Sequence, residues 1–246
     1  MFKNKMKTFV INLEKEKARM ASMGAQLSRL GVAYERIPAV YGKELTKEEL
    51  RRCFSAFHSF CAMGYQMTLG AIGCSLSHLS VYRQMIEMNI PYALVFEDDI
   101  IIDDLFDERI TEIESFINKE KKQVILLSAL GFKANEKGIF RRDCAMCADA
   151  YVITLPAART IYKSNYPVVV VADAWRRWAN RFGVEIYTCW PSIVRQDNEQ
   201  FGTDINRFAG MTELALKWIR FKAVLLKPLR LVEKCIDLLI FKVCER

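Results

Sequence analysis

The amino-acid sequence predicts an α/β fold, in which short strands alternate with longer helices. Short apolar runs rich in strand-forming residues alternate along the chain with longer segments of helical periodicity. Of the 246 residues, 52% are hydrophobic, which is enough to build a sizeable core. This length fits one large domain, or one domain with a small appendage.

The N-terminal region predicts a strand, a helix and a second strand. Residues 8–13 (TFVINL) are an apolar run, and residues 14–30 follow with helical spacing. Gly31 should end the helix, because glycine readily adopts the left-handed conformation that often follows a helix. Residues 34–37 predict a second strand, which Pro38 closes.

The next segments predict two helices separated by an irregular stretch. Thr46 and Glu49 have the spacing of a capping box, which predicts the start of a short helix. Residues 53–67 have no clear period and are predicted to be irregular. Residues 69–89 repeat apolar side chains every three or four positions, which predicts a longer helix.

The second half of the chain continues the alternation. A strand over residues 92–97 is followed by a predicted helix over residues 107–119. Further apolar runs predict strands at residues 124–128, 150–154 and 184–188. Pro156 fits the first turn of a helix that follows the middle one of these strands.

The most informative segment is YALVFEDD, residues 92–99. Its apolar residues are typical of a buried strand, and the strand ends at three carboxylates, Glu97, Asp98 and Asp99. Three adjacent carboxylates repel one another and resist burial, so a bound cation would offset the cost. In an extended chain Glu97 and Asp99 point to one side, where both can bind one ion. Oxygen ligands suit manganese or magnesium, while Asp98 would bind a sugar hydroxyl or hold a turn. The alternative interpretation is a solvated strand end.

The C-terminal tail, residues 211–246, differs in composition from the rest. From Leu214 to Arg246 it has eight Lys or Arg and three Asp or Glu, a net charge of +5 out of +7 for the chain. Its apolar residues follow one helical face, and Pro228 divides or kinks the predicted amphipathic helix. Such a basic face suits an anionic membrane surface, or alternatively packs on the body or on a second subunit. Nine aligned apolar residues argue against nucleic-acid binding.

The cysteines and the N-terminus indicate a reducing compartment. The first residues contain only a five-residue apolar run, which is too short for a secretory core or a membrane span. We therefore expect the eight cysteines to be free thiols in the cytoplasm. Cys144 and Cys147 form a lone CxxC pair, without the further ligands that a structural zinc site needs.

Several stretches occur in order over about residues 8–205: VINL with Arg19 downstream, IPAVYGKEL, LGAIGCSLSHLSVYRQMIE, LVFEDDI, AYVITLPAA and PSIVRQ. Together, and in this order, they resemble glycosyltransferase family 25, whose bacterial members build lipooligosaccharide. GCSLSHL followed by FEDD is the most specific part. The chain departs from the family at residues 39–42 (AVYG), where an Asp often precedes the glycine.

The resemblance implies a GT-A-type, Rossmann-like nucleotide-sugar-binding fold over residues 1–210. It also implies inverting transfer of a hexose, most often galactose, from a UDP-sugar to a saccharide hydroxyl. The acidic triplet then resembles the DxD motif, with Mn²⁺ (or Mg²⁺) bound by Glu97 and Asp99. Such an ion neutralises the charge that grows on the diphosphate leaving group. Candidates for a third metal ligand are Gln196 and Asp197.

Inversion requires a base that takes the proton of the acceptor hydroxyl. Asp173 is the first candidate, because it follows an apolar run and precedes Trp175 and Trp178, whose rings suit sugar faces. Asp149 is the second candidate. The alternative for Asp173 is a helix N-cap, with both tryptophans in the core.

The donor would contact residues near the ends of the first strands. Asn12 and Arg19 follow the first strand, and ligands gather at the carboxyl ends of strands in α/β sheets. The resemblance adds further candidates for donor binding: Ala39, Ser77, His78 and Asp98. His78 alternatively fits a packing role within its helix.

The leading hypothesis is a metal-dependent inverting glycosyltransferase, peripherally attached to the inner face of the cytoplasmic membrane. Its partners would be a UDP-sugar donor, a lipid-linked oligosaccharide acceptor and the anionic membrane surface, with no nucleic acid. The alternative is a non-catalytic, membrane-attached protein that binds saccharides or acts as a scaffold.

Overall fold

The structure, a computed structural model, describes residues 6–142 and 145–197. The helices are α1 Lys17–Arg29, α2 Lys47–Cys53, α3 Ala56–Met63, α4 Leu69–Glu87, α5 Phe106–Phe116, α6 Leu155–Asn165 and α7 Trp175–Phe182. The strands are β1 Lys7–Asn12, β2 Glu35–Pro38, β3 Tyr92–Glu97, β4 Ile100–Ile102, β5 Gln123–Leu126, β6 Gly138–Arg141, β7 Ala150–Thr154, β8 Glu185–Trp190 and β9 Val194–Gln196. The predicted α/β fold is confirmed.

Seven strands form one mixed sheet in the order β2-β1-β3-β7-β5-β8-β6. Strand β1 is parallel to β2 and β3, and β5 is parallel to β8. Strand β7 is antiparallel to β3 and β5, and β6 is antiparallel to β8. Strands β1, β3, β5 and β8 therefore end at one edge of the sheet, where β7 begins. Strands β4 and β9 form a separate antiparallel pair.

The chain divides into two compact units. The first contains the described residues up to Ala39, Ser80–Ile161 and the described residues from Asp173 onwards. It includes every strand of both sheets. The second contains Val40–Leu79 and Tyr162–Ala172, with helices α2 and α3.

The core of the first unit lies on one face of the sheet, against α1 and α5. Successive side chains of a strand point to opposite faces, so every second strand residue enters this core. Its buried members include Val10, Met23, Leu27, Leu94, Phe96, Phe106, Ile110, Ile113, Ile125, Ala150, Val152 and Cys189. On the opposite face, the Tyr151 hydroxyl is 2.8 Å from that of Tyr82, and its ring centroid is 5.4 Å from that of Trp175. Both faces of the sheet are therefore covered in the first unit.

A buried arginine fixes the end of β8. Arg109 is 1% exposed, and its Nη2 donates to the carbonyl oxygens of Gly138 and Trp190, both at 2.9 Å. Its Nε lies 3.2 Å from the Sγ of Cys189, and Nη1 pairs with Glu112. These partners satisfy the guanidinium donors, which is what makes a buried charge tolerable. The backbone of Trp190 is held in place as a result.

Two local predictions are confirmed in detail. Helix α1 ends at Arg29, and Gly31 follows with φ +65°, the left-handed conformation expected of it. The capping box is also present, since Thr46 Oγ1 accepts from the Glu49 amide at 3.2 Å and Glu49 Oε2 accepts from the Thr46 amide at 2.8 Å.

The prediction that residues 53–67 are irregular is wrong, because Ala56–Met63 form α3. A helix of eight residues completes barely two turns, so its periodicity is hard to see in the sequence. Strands β4, β6 and β9 are missing from the predicted elements for a related reason. Each has only three or four residues, too few for alternation to be distinguished.

The predicted helical tail, residues 211–246, and the boundary at residue 210 lie outside the described residues. Cys144, one half of the CxxC pair, also lies outside them. None of the described cysteines forms a disulfide bond. In the part of the chain that the structure describes, no helix combines the length and hydropathy needed to cross a bilayer.

In the second unit, two glycines allow a loop to approach the backbone of α4. A Cβ atom on Gly73 would lie 2.5 Å from the Val40 carbonyl oxygen, and one on Gly42 would lie 1.8 Å from that of Leu69. The Ser77 hydroxyl accepts from the Val40 amide and donates to the Gly73 carbonyl, each at 2.8 Å. The loop is thus held against the helix at a distance that excludes any side chain.

We expect Gly73→Ala to lower the free energy of unfolding by about 2 kcal/mol or more, because the new methyl group meets backbone atoms that cannot move aside cheaply. Gly70→Ala is the matched control on the same helix, since a Cβ there meets nothing nearer than 4.0 Å. The control should be neutral or stabilising by up to about 1 kcal/mol. Urea denaturation measures both, and equal effects would contradict the close approach.

Candidate active site

The candidate site lies at the edge of the sheet where β1, β3, β5 and β8 end and β7 begins. Asn12 is the last residue of β1, Glu97 is the last of β3, and Asp149 immediately precedes β7. The Glu97 amide donates to the Asp149 carbonyl at 2.7 Å, which extends the β3–β7 pairing to this point. Polar residues that are far apart in the sequence therefore meet at one edge, as ligand-binding residues do in α/β sheets.

The chain bends directly after Glu97. Asp98 and Asp99 lie in this bend, so the alternation expected of an extended chain stops at the end of β3. Asp98 Oδ2 accepts from Asn12 Nδ2 at 2.5 Å, and Asp98 Oδ1 lies 3.9 Å from Arg19 Nη1. Three residues predicted to bind the donor, Asn12, Arg19 and Asp98, thus lie together.

Asn12 is 2% exposed and bonds extensively within the protein. Its Nδ2 also donates to the Glu16 carbonyl at 3.0 Å, and its Oδ1 accepts from Arg36 Nε at 2.8 Å. The backbone amide of Ala39 donates to the Asn12 carbonyl at 3.0 Å. This geometry favours a role for Asn12 in orienting Asp98 over a direct contact with a ligand.

Asp99 combines a buried carboxylate oxygen with a raised pKa. Its Oδ1 is buried and has no hydrogen-bond partner among the described residues. Burial, followed by the charges of Glu97 and Asp98, raises the pKa of Asp99 to about 7. A divalent cation would favour the ionised form and would fill the missing contact of Oδ1. The carboxylates present therefore fit a metal ion that prefers oxygen ligands.

Strand β9 lies beside the acidic bend. Gln196 is opposite Ile100 in the β4–β9 pair, and the Asp197 amide donates to the Asp99 carbonyl at 2.8 Å. Ile100 belongs to the hydrophobic core, and residues directly opposite in an antiparallel pair share a face, so Gln196 lies on the core side. Asp197, the next residue, is on the other side and is therefore favoured over Gln196 as the residue that faces Asp99.

Asp149 is a buried carboxyl on the same face of the sheet as Glu97. It is 3% exposed, and its Oδ1 accepts from Ser128 Oγ at 2.6 Å and from the Ala150 amide at 2.9 Å. Burial raises the pKa of Asp149 to about 6, with the hydrogen bond from Ser128 opposing the shift and the charge of Glu97 adding to it. A carboxylate with a raised pKa is suited to accepting a proton near neutral pH.

The surroundings of Asp173 differ from those predicted. Trp175 and Trp178 are 1% and 0% exposed, so the expectation that their rings serve sugar faces is wrong. The part of the alternative that places both tryptophans in the core is confirmed, whereas the part that makes Asp173 the helix N-cap is wrong. Asp173 precedes Ala174, the N-cap of α7, and its carbonyl accepts from the Trp175 amide at 2.8 Å.

Two of the predicted donor-binding residues lie on α4 in the second unit. Ser77 is 2% exposed, and its hydroxyl holds the backbone of Val40 and Gly73. His78 is 1% exposed in the middle of the helix, a position that agrees with the packing alternative. A donor contact at either residue stays a prediction.

Sequence reasoning missed two residues that contact the predicted site. Ser128 bonds to Asp149, and Arg36 bonds to both the side chain and the carbonyl of Asn12. Ser128 ends the apolar run predicted as a strand, and position at a strand end is the signal that could have identified it. Arg36 lies within β2, and only the pairing of β2 with β1 brings it to Asn12.

Comparison with protein families identifies one that matches more than half of the chain. The family described as Glycosyltransferase family 25 (LPS biosynthesis protein) matches residues 5–146. The acidic bend at Glu97, Asp98 and Asp99 falls inside the matched region, and Asp149 lies just beyond it.

The chain is also similar to parts of longer proteins. It is 36% identical over 108 residues to a Glycosyltransferase 25 family member of Aedes aegypti, a match to 43% of this chain and 18% of the relative. It is 26% identical over 174 residues to human Procollagen galactosyltransferase 2, covering 64% and 27%. It is 25% identical over 169 residues to mouse Inactive glycosyltransferase 25 family member 3, covering 64% and 28%. The chain therefore spans less than a third of the length of each relative.

Asp99→Asn should weaken the pH dependence of stability in the metal-free protein. Because the folded-state pKa of Asp99 is raised to about 7, folding takes up protons between its ordinary pKa and that value. The free energy of unfolding should therefore fall as the pH rises from about 4 to 7. Asp149 contributes with the same sign, so the variant reduces the slope without abolishing it. Urea denaturation across this range, with a chelator present, measures the slope.

Asp104→Asn is the control for this measurement. Asp104 is an exposed carboxylate that lies 3.5 Å from Arg29, and its replacement should leave the slope unchanged. A slope that is the same in Asp99→Asn and in the unaltered protein would contradict the electrostatic description of the bend.

Proposed function

The chain belongs to glycosyltransferase family 25, and from this membership we propose that it is a metal-dependent inverting glycosyltransferase with a GT-A-type fold. The proposed donor is a UDP-hexose with galactose as the hexose, in line with relatives named procollagen galactosyltransferases. The proposed acceptor is a saccharide hydroxyl of lipooligosaccharide, in line with the description of the family as an LPS biosynthesis protein. The observation that carries the proposal is the buried Oδ1 of Asp99 within the acidic bend, which has no hydrogen-bond partner among residues 6–142 and 145–197.

Glu97, Asp99 and Asp197 are the residues that would hold a Mn²⁺ ion, with Mg²⁺ as the alternative. When bound, such an ion neutralises the charge that develops on a diphosphate leaving group. Asp98 keeps a fixed orientation through Asn12 and Arg19. We assign Asp98 to a hydroxyl group of the donor, because its contacts with Asn12 and Arg19 hold the carboxylate in one orientation.

We assign the role of general base to Asp149. Its carboxyl group is held by Ser128, shielded from water, and adjacent in the sheet to the end of β3. In the proposed reaction, Asp149 takes the proton of the acceptor hydroxyl as that oxygen attacks the sugar of the donor. Asp173, the first candidate from the sequence, becomes the alternative, because its neighbouring tryptophans are unavailable to a sugar.

A non-catalytic saccharide-binding or scaffold protein is the second candidate function. One relative is named an inactive member of the family, so membership alone does not establish turnover. A protein of this kind would bind a saccharide or a nucleotide sugar without releasing UDP.

Release of UDP from UDP-galactose with Mn²⁺ and a lipooligosaccharide acceptor tests the proposed activity. Asp149→Asn should lower kcat by roughly 10²–10⁴-fold, because it removes the base while it keeps a similar size and hydrogen bonding. Asp99→Asn should abolish Mn²⁺-dependent turnover. Asp104→Asn, an exposed carboxylate on the same chain, should retain full activity.

Two outcomes would contradict the proposal. A fully active Asp99→Asn variant would remove the role of the metal, and unchanged kcat in Asp149→Asn would return the base to Asp173. Binding of UDP-galactose by the unaltered protein without any release of UDP would instead favour the non-catalytic function.

We further propose peripheral attachment to the inner face of the cytoplasmic membrane through the basic tail. Each Lys or Arg near an anionic surface contributes about 1 kcal/mol, and residues 214–246 of the tail have a net charge of +5. The full chain should float with vesicles that contain phosphatidylglycerol and should be released by high salt. A variant that ends at Thr212 should stay in the soluble fraction. Flotation of that variant to the same extent would contradict attachment through the tail.

A further inference from the structure

A row of side chains crosses four neighbouring strands on one face of the sheet. Phe96, Ala150 and Cys189 all belong to the core on the other face. Because side chains alternate between the two faces of a strand, Glu97, Asp149 and Trp190, each one position away, point to the face opposite that core. The row therefore has carboxylates at one end and an aromatic ring at the other.

The pairing of the strands fixes the order and spacing of this row. Asp149 follows Glu97 across the β3–β7 pair, and Ser128 follows Asp149 through their hydrogen bond. Thr188 is in register with Leu126, and Thr188 Oγ1 donates to the Ser128 carbonyl at 3.2 Å, so the end of β8 that carries Trp190 lies near Ser128. Neighbouring strands are about 4.8 Å apart, so β8 lies about 10 Å from β7, on the side away from the acidic bend.

Trp190 is part of an aromatic cluster with Phe132 and Phe140. The ring of Phe132 lies 6.0 Å from that of Trp190 and 5.5 Å from that of Phe140, measured between centroids. The guanidinium of Arg142 lies 4.6 Å from the centroid of Phe132. Trp190 is opposite Gly138 in the β6–β8 pair, so its cross-strand neighbour has no side chain to cover it.

The cluster is accessible to a ligand. All three rings are half-buried, whereas Trp175 and Trp178 on the same face are fully buried. Residues 129–132 form a turn, in which the Phe132 amide donates to the Ala129 carbonyl at 2.9 Å and Gly131 has φ +68°. Leu130 lies in this turn, two residues before Phe132, and is 56% exposed. Aromatic rings that keep an exposed surface this close to polar groups are typical of ligand sites.

We propose that Phe132, Phe140 and Trp190 form the subsite that binds the acceptor saccharide. This inference rests on the proposed function, in which Asp149 takes the proton of the acceptor hydroxyl. The donor occupies the side of Asp149 where the carboxylates lie, so the rest of the acceptor extends along the row in the other direction. The apolar face of a pyranose ring packs against an aromatic ring, and the hydroxyl groups at its edge reach polar neighbours such as Ser128 and Arg142.

Kinetics of transfer test the subsite in the full chain. Trp190→Ala and Phe132→Ala should each raise the KM for the acceptor roughly tenfold, which corresponds to a loss of about 1.4 kcal/mol. The KM for UDP-galactose and the slow hydrolysis of UDP-galactose without acceptor should stay unchanged. Trp190→Phe should restore most of the acceptor affinity, which a purely structural role of the indole would not require.

Phe116→Ala is the matched control. Phe116 is also a partly exposed aromatic residue, 40% exposed, and packs edge-on against Tyr187 at 4.9 Å. Phe116 is the last residue of α5, and the chain continues from there to the first residue of β5. The candidate site lies at the other end of β5. This variant should leave every kinetic constant unchanged. Thermal unfolding of all variants reports whether the fold is retained.

The acceptor panel contains soluble mono- and disaccharides that end in glucose, galactose or N-acetylglucosamine, together with O-deacylated lipooligosaccharide. Transfer by the unaltered protein with an unchanged acceptor KM in both alanine variants would overturn the subsite alone. An equal rise in the KM for donor and acceptor would also overturn it, since the cluster would then act on the whole site. If the unaltered protein neither hydrolyses nor transfers the donor sugar, the proposed function fails first, and this inference fails with it.

Discussion

The structure depends on one electrostatic constraint, the placement of three adjacent carboxylates at the end of a strand whose four central residues are buried. Burial and mutual repulsion both oppose ionisation there, and the raised pKa of Asp99 expresses this cost. Contacts within the protein offset part of this cost, because Asn12 donates a hydrogen bond to Asp98 and Arg19 lies 3.9 Å from it. Asp99 Oδ1 is left without such a partner among the described residues. A metal-binding role gives this arrangement a physical reason.

The other features of the site follow from the topology of the sheet. Strands β1, β2, β3, β5 and β8 end at the edge where β7 begins, so Glu97 at the end of β3 comes next to Asp149, and Asp149 comes next to Ser128. Beyond them on the same face lie the half-buried rings around Trp190. This order gives the proposed reaction a direction across the sheet, with the diphosphate at the acidic end, the base in the middle and the acceptor at the aromatic end.

The sequence predicts long elements well, because alternation and helical periodicity need several residues to become visible. It predicts an acidic site at residues 97–99, because three consecutive carboxylates after an apolar run are a local signal, but it does not predict that the chain bends there. It misses Ser128, and it assigns the sugar-binding rings to Trp175 and Trp178 when both are buried. Which face a ring occupies depends on strand register and on the packing of α7, neither of which is encoded in local spacing. The sequence names Asp149 only as the second candidate for the base, and the position of Trp190 relative to it becomes visible only once the strand order is known.

Anomalous diffraction from crystals grown with Mn²⁺ and UDP tests the central claim most directly. The account predicts one manganese peak within coordination distance of Asp99 Oδ1, at about 2.2 Å, with the diphosphate oxygens of UDP completing its ligands. A UDP molecule bound elsewhere, together with a solvated acidic bend and no manganese beside Asp99, would contradict the account.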